Sequence, residues 1–463
     1  MISKLSDPVV PEKNPFVNCK LGRERYAKIL TQIVANYTKG GVIALDGVWG
    51  TGKTTFMRMW AQDLKNKGFS LLFFNAWEDD FVSDPLVGLI GQFYEICKTE
   101  SAKTQLSDVI DVASGLLASA TKGFLKSVAK KCVGDDVVDA VTESYENKSK
   151  FKIEVETYQK QRTAILDFRK ALEKLVQECK SENPLIFIVD ELDRCNPYYA
   201  VKLLERIKHL FDIPNVVFVL SIDKEQLCSS IRGYFGTDKL NAEEYLQRFI
   251  NLEYQLPQPD AENFCKYLYD TYDMKSLLPV RNAYSLEVRD MFEYLLQRLF
   301  EKLHLSLREM DRLYSHMCFT LQSRGTADYI HPGVLLLLLY LRKYDSEFYN
   351  VIKERKSSIQ EIITYFESDK LYSLFVPNEI DEVAVKYVTY CLANVLVVYS
   401  RNRHGRRECA LLAQDNMQLN FKCNRINEEV MLEAVNSCLA MQNYANIYTY
   451  ITHVELLNGI RGS

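Results

Sequence analysis

No Cys-x-x-Cys pair occurs among the twelve cysteines, and the six histidines stand apart from one another. That spacing argues against a structural zinc site, and thiols scattered this widely do not build the framework of a small secreted domain. Reduced cysteines in a cytoplasm are expected. Apolar runs long enough for a bilayer are also missing: the two most lipid-like, 333–341 and 387–400, fall short of the ~20 residues a spanning helix needs. They read as buried helices. The first residues, MISKLSDPVVPEKNPF, lack the apolar core of a signal peptide, which points the same way. Nor is there an excess of positive charge, since 57 Lys and Arg face 61 Asp and Glu, for a net charge of −4. Sequence-blind binding to nucleic acid therefore cannot rest on overall charge. No nuclease, protease or deaminase constellation is visible, and no Asn-Lys-x-Asp motif for guanine.

What is present is a chain of 463 residues, 47% of them hydrophobic, long enough for two or three folded domains. Residues 42–55 read VIALDGVWGTGKTT. Val42 to Leu45 have the pattern of a buried strand, and Gly47, Gly50, Gly52, Lys53 and Thr54 follow at the spacing of a phosphate-binding loop. Glycines let such a backbone turn so that its N–H groups, those of Thr51 and Thr55 included, surround phosphate oxygens at a helix N-terminus. Lys53 would reach the β- and γ-phosphates. Thr54 would offer its hydroxyl to Mg2+, which prefers hard oxygen ligands. A nucleoside triphosphate is the expected ligand.

A second polar cluster closes another apolar run, in PLIFIVDELDRC at 184–195. Leu185 to Val189 read as a strand covered on both faces of a parallel sheet. Asp190 then falls at its carboxyl end, where open α/β sheets bind ligands, and is expected to hold Mg2+. Glu191 is placed to orient or deprotonate an attacking water, so the pair suggests hydrolysis; the alternative is a surface salt bridge. Asp193 and Arg194 read either as reaching a nucleotide in trans or as a local ion pair. A helix at 197–211 and a strand at 215–222 continue the βαβ rhythm. Ser221 and Asp223, at the end of that strand, stand where a polar side chain could sense the γ-phosphate or the water.

These elements predict an α/β fold, with a P-loop core around a central parallel sheet. Residues 1–99 form the first part of the core and include a helix at 21–37 and a strand at 70–74. That strand runs into Asn75-Ala76-Trp77-Glu78-Asp79-Asp80. Trp77 reads as packing, and the acidic run as able to face Mg2+ or a water. Residues 100–180 lack strand patterns and read as a helical insertion. In it Lys122, Lys126 and Lys130 recur on an amphipathic helix suited to a membrane surface, an acidic partner or solvent. Ile165, Leu166, Phe168, Leu172, Leu175 and Val176 form its core stripe. Residues 181–258 complete the core, with Arg248 preceding a strand at 252–256. Residues 259–325 read as a helical lid carrying Arg308 and Arg312, and 326–463 as an α-helical C-terminal domain.

Together these residues resemble the KAP family of P-loop NTPases, of the additional-strand class that includes AAA+ and STAND proteins. GVWGTGKTT at 47–55, FFNAWEDD at 73–80, IFIVDELDRC at 186–195 with VVFVLSID at 216–223, and YLQRFINLEYQLP at 245–257 carry the likeness, which covers about 21–325. The resemblance implies an additional-strand sheet and ATP with Mg2+ as cofactors. It gives phosphate and metal binding to Lys53 and Thr54, the metal to Asp190, the base role to Glu191 and a lid-arginine role to Arg308. Many members carry transmembrane helices between the two nucleotide motifs; the insertion here is too polar for that, leaving peripheral membrane contact. The family includes animal membrane scaffolds and bacterial phage-exclusion proteins, which implies a nucleotide-driven switch in signalling or defence.

The leading expectation is an ATPase whose nucleotide state controls assembly, as a homo-oligomer or with a separate effector protein, in prokaryotic anti-phage defence. Arg194 and Arg248 are its candidates for completing a neighbour's site. A nucleotide-dependent motor or clamp on DNA or RNA is one alternative. A scaffold with structural ATP is another, against which the Asp190-Glu191 pair speaks.

Overall fold

The computed structural model describes residues 9–132, 143–258, 260–278, 283–323, 330–376, 381–401, 410–413, 418–440 and 445–456, without side-chain detail at 118–154, 157, 283–286, 323 and 456. The described residues divide into two units at Gln258.

The first unit is built from α1 (Glu24–Ala35), β1 (Gly41–Asp46), α2 (Lys53–Asn66), β2 (Leu71–Asn75), α3 (Pro85–Gly91), α4 (Glu100–Cys132), α5 (Glu143–Cys179), β3 (Leu185–Asp190), α6 (Pro197–Leu210), β4 (Val216–Ile222), α7 (Lys224–Phe235), α8 (Ala242–Leu246) and β5 (Leu252–Gln255). All strand pairs are parallel, in the order β2-β3-β4-β1-β5. The extra strand, β4, separates β1 from β3. Its pairing with β3 sets Ser221 beside Asp190, and β2 sets Asn75 on the other side of Asp190, so three polar side chains lie abreast at the carboxyl ends of three adjacent strands.

Strand side chains alternate between faces, and the two cores follow that period. Ile43, Leu45, Ile186, Ile188, Val217 and Val219 pack on one side with α1 and α2. Ala44, Phe187, Val189, Phe218 and Leu220 face the other side, with α3 to α7. Phe187 stacks on Phe218 at 4.8 Å, and Phe211 meets Phe218 edge-on at 5.6 Å. Burying each such ring contributes about 1.5–3 kcal/mol. Asp84 caps α3 through the Leu86 N–H (3.0 Å) and accepts from Arg206 of α6 at 3.1 and 2.7 Å, which ties the two helices together.

The insertion is a helix pair. Phe168, Leu172, Leu175 and Val176 are fully buried in one cluster with Leu106, Val109 and Ala113 of α4. Leu166 departs from the expected stripe and is 49% exposed. Two residues of helix turn it about 200° from Phe168, onto the opposite face. Lys122, Lys126 and Lys130 lie outside the residues whose side chains are described.

In the second unit the regular structure is helical among the described residues, apart from one antiparallel bridge between Leu412 and Leu419. The apolar runs expected to be buried helices are so placed: Pro332 to Leu341 are buried throughout. The helix Glu382–Tyr399 is long and apolar enough to cross a bilayer by composition, yet 67% of it is buried in the fold. Arg308 and Arg312 are exposed on the helix Leu307–Ser323, whose start is held by mutual bonds between Ser306 and Glu309.

His331 gives this unit an acid sensitivity. It is fully buried before the helix Pro332–Tyr344, and its backbone N–H donates to the Tyr450 hydroxyl at 2.6 Å. Burial holds its pKa down, to about 3. An unfolded histidine protonates near pH 6.5, so the unfolded chain gains a proton that the folded one refuses. The stability is complete above that pH and is lost as pH falls toward 3, at about 1.4 kcal/mol per unit. Between pH 7 and pH 5 the loss is expected to be about 2 kcal/mol. Hydrogen exchange in the helix Pro332–Tyr344 at the two pH values measures it, and His331→Gln is expected to remove that part of the pH difference, leaving the share of His316, whose pKa burial also lowers.

Candidate nucleotide-binding site

The chain leaves β1 at Asp46, turns through 47–52 and enters α2 at Lys53. Gly50 and Gly52 both hold φ at +81°, a left-handed backbone that a β-carbon would strain. The loop is anchored to the neighbouring strand: the Gly47 N–H donates to the Ile222 carbonyl at 3.1 Å, and the Trp49 N–H to Asp223 Oδ2 at 3.0 Å. The loop wraps the N-terminus of α2, whose unpaired amides and dipole favour an anion. Lys53, 9% exposed, folds its ammonium back onto the carbonyls of Gly47 and, at 3.3 Å, Val48. Burial pulls its pKa down, while Asp193, Asp223, Asp190 and Asp46 oppose the shift. The loop thus holds one cation among four carboxylates.

Asp190, at the end of β3, is 1% exposed. Its Oδ1 accepts the Glu191 N–H at 3.0 Å. Burial raises its pKa, and the hydroxyls of Ser221 and Thr54 pull it back. The other oxygen, Oδ2, is buried without a well-formed hydrogen bond, as is Ser221 Oγ. Such atoms are costly to leave unsatisfied. A buried carboxylate oxygen beside two hydroxyls is a hard donor set that fits Mg2+.

Glu191 adopts φ of +60°, a conformation that costs a non-glycine residue about 1 kcal/mol or more. Its Oε1 pairs with Arg194 at 2.7 Å, and its Oε2 accepts from Asn75 Nδ2 at 3.2 Å. The Arg194 guanidinium lies against Trp49 at 5.9 Å and Trp77 at 5.6 Å. Of the two readings of Arg194, the local pair is the one formed, because Glu191 is only three residues away on the turn Leu192–Arg194. Trp77 is not core packing: it is 50% exposed. Asp193, 5% exposed, accepts from Trp49 Nε1.

The structure therefore brings together Gly47, Gly50, Thr51, Gly52, Lys53, Thr54 and Thr55 with Asp190, Glu191 and Ser221. Arg248, after α8, is exposed, and no hydrogen bond or ion pair joins it to these residues among those described. Three participants went unread as site residues in the sequence. Asn75 and Trp49 act on Glu191 and Arg194, as above. Arg23, 2% exposed, donates to the Gly52 carbonyl at 3.2 Å, and burial lowers its pKa to about 10. For Asn75 there was a signal: it ends a strand as Asp190 does.

A glycine-rich loop opening a helix, with a buried aspartate two strands away across an extra strand, defines a P-loop nucleotide-binding protein of the additional-strand type. The chain belongs to the KAP family: the KAP family P-loop domain matches residues 23–322. Over 76 residues it is 25% identical to the phage T7 exclusion protein of Escherichia coli (strain K12), a match covering 16% of this chain and 10% of that protein. The chain thus matches only about a tenth of that relative's length. Similar solved structures include the Aeropyrum pernix ORC2 protein in ADPNP–ADP complexes, at 13% identity, covering 95% of this chain and 86% of that one with a TM-score of 0.34. Another is replication initiator DnaA bound to AMPPCP and single-stranded DNA, at 9% identity, 98% and 93% coverage and a TM-score of 0.29.

Proposed function

We propose that the protein binds ATP with Mg2+, hydrolyses it, and uses its nucleotide state to switch assembly or conformation, as a cytoplasmic component of prokaryotic anti-phage defence. The observation that carries the chemistry is the orphaned Asp190 Oδ2, buried beside Thr54 and Ser221 with Glu191 next in the chain. Thr54 and Asp190 would hold Mg2+, which supplies charge neutralisation at the phosphates when bound. Lys53 binds the terminal phosphates, and the loop amides orient them. Glu191 aligns water toward the γ-phosphate and takes up its proton. The defence role is supported by the short match to the phage T7 exclusion protein.

A homo-oligomer would complete the site with the exposed Arg248 of a second copy, and the lid-arginine role stays with Arg308 or Arg312. Arg194 is withdrawn from that role because Glu191 engages it. Steady-state hydrolysis of ATP and GTP by the full chain with Mg2+, with sizing in the presence and absence of nucleotide, tests the reading. ATP turnover with ATP-dependent assembly is expected. Tight binding with neither turnover nor a size change would leave a static scaffold, and stimulation by DNA would favour a nucleic-acid motor.

A further inference from the structure

Both carboxylate oxygens of Glu191 are taken, one by Arg194 and one by Asn75. Arg194 is in turn held by two indoles from separate segments. Trp77 follows β2, and Trp49 sits in the phosphate-binding loop between Gly47 and Gly50. Trp49 reaches the same turn a second time, since its Nε1 donates to Asp193, the neighbour of Arg194. Burial does not explain these positions: Trp49 is 43% exposed and Trp77 50%, whereas the chain's remaining tryptophan, Trp60, is fully buried. Attraction between a guanidinium and an indole face does explain them.

We infer that Arg194 is a positioning residue that restrains Glu191, and that Trp49 couples release of the restraint to occupancy of the phosphate-binding loop. The inference rests on the ATPase reading above and concerns the regulation of that same site. A carboxylate with both oxygens committed to donors offers fewer lone pairs to a water molecule. Release from Arg194 frees one of those lone pairs and lets the carboxylate turn to align a water. Phosphates entering the loop draw Lys53 away from the Gly47 and Val48 carbonyls that it now contacts. Those carbonyls immediately precede Trp49, so the indole shifts and Arg194 loses one of its two faces.

Two measurements test this on the full chain. Arg194→Met keeps length and packing but removes the charge. Its kcat for ATP is expected to rise about 3–10-fold with KM within about twofold, while Arg194→Lys stays near wild type. A merely structural arginine would give no such split. Separately, Mg2+ with a non-hydrolysable ATP analogue is expected to change tryptophan emission in the wild type and not in Trp49→Phe, with binding followed independently by competition against a fluorescent ATP derivative. Analogue binding with unmoved Trp49 emission, or an Arg194→Met enzyme no faster than wild type, overturns the restraint and leaves the ATPase reading standing. No nucleotide binding by the wild type overturns both.

Discussion

Glu191→Gln is expected to lower kcat for ATP hydrolysis by about 10²–10³-fold while leaving nucleotide affinity within a few fold. The amide keeps the size of the carboxylate but loses its negative charge and its capacity to accept a proton. Glu191 is 13% exposed at the side chain, and its partners Arg194 and Asn75 are both donors. The substituted amide can still accept one of those bonds through its carbonyl oxygen, so the fold should lose little. With binding intact and turnover stopped, the variant should accumulate in the nucleotide-bound assembly, visible by sizing as a larger species that persists after ATP is added. Hydrolysis at the wild-type rate would remove Glu191 from the base role, and with it the reason for Arg194 to restrain it.

Legibility in the sequence followed the range of the interactions. The phosphate-binding loop is local chemistry: glycine torsions, a lysine and a threonine within a few residues of one another, so residues 47–55 could be read directly. Strands β1, β3 and β4 were legible because apolar, β-branched runs covered on both faces leave few polar positions. Asn75 was harder, since its partner Glu191 lies 116 residues along the chain and only the adjacency of β2 and β3 joins them. Arg23 reaches Gly52 across 29 residues and looks, in sequence, like any charged helix start. Trp77 was misread because indole area argues for burial only when nothing cationic waits at the surface, and Arg194 does. The helical unit carries no comparable signature, since its buried leucines specify packing and not chemistry.

Lys53→Ala is expected to abolish the stabilisation that ATP confers. A ligand at about 1,000 times its Kd stabilises a protein by about 4 kcal/mol, which for a unit of this size raises Tm by roughly 8–16 °C. Wild type with Mg2+ and saturating ATP should show such a shift and the variant almost none, because the ammonium is the loop's one side-chain cation for the terminal phosphates. A second effect is independent of ligand. Asp46, Asp190, Asp193 and Asp223 all act on Lys53, and its removal leaves these carboxylates to repel one another. The variant without nucleotide is therefore expected to melt below the wild type without nucleotide. Scans of both proteins with and without ATP separate the two effects: the gap between the nucleotide-free proteins reports the carboxylate ring, and the ATP-dependent increment reports the phosphates. An increment that survives in Lys53→Ala would mean the phosphates are held somewhere other than this loop.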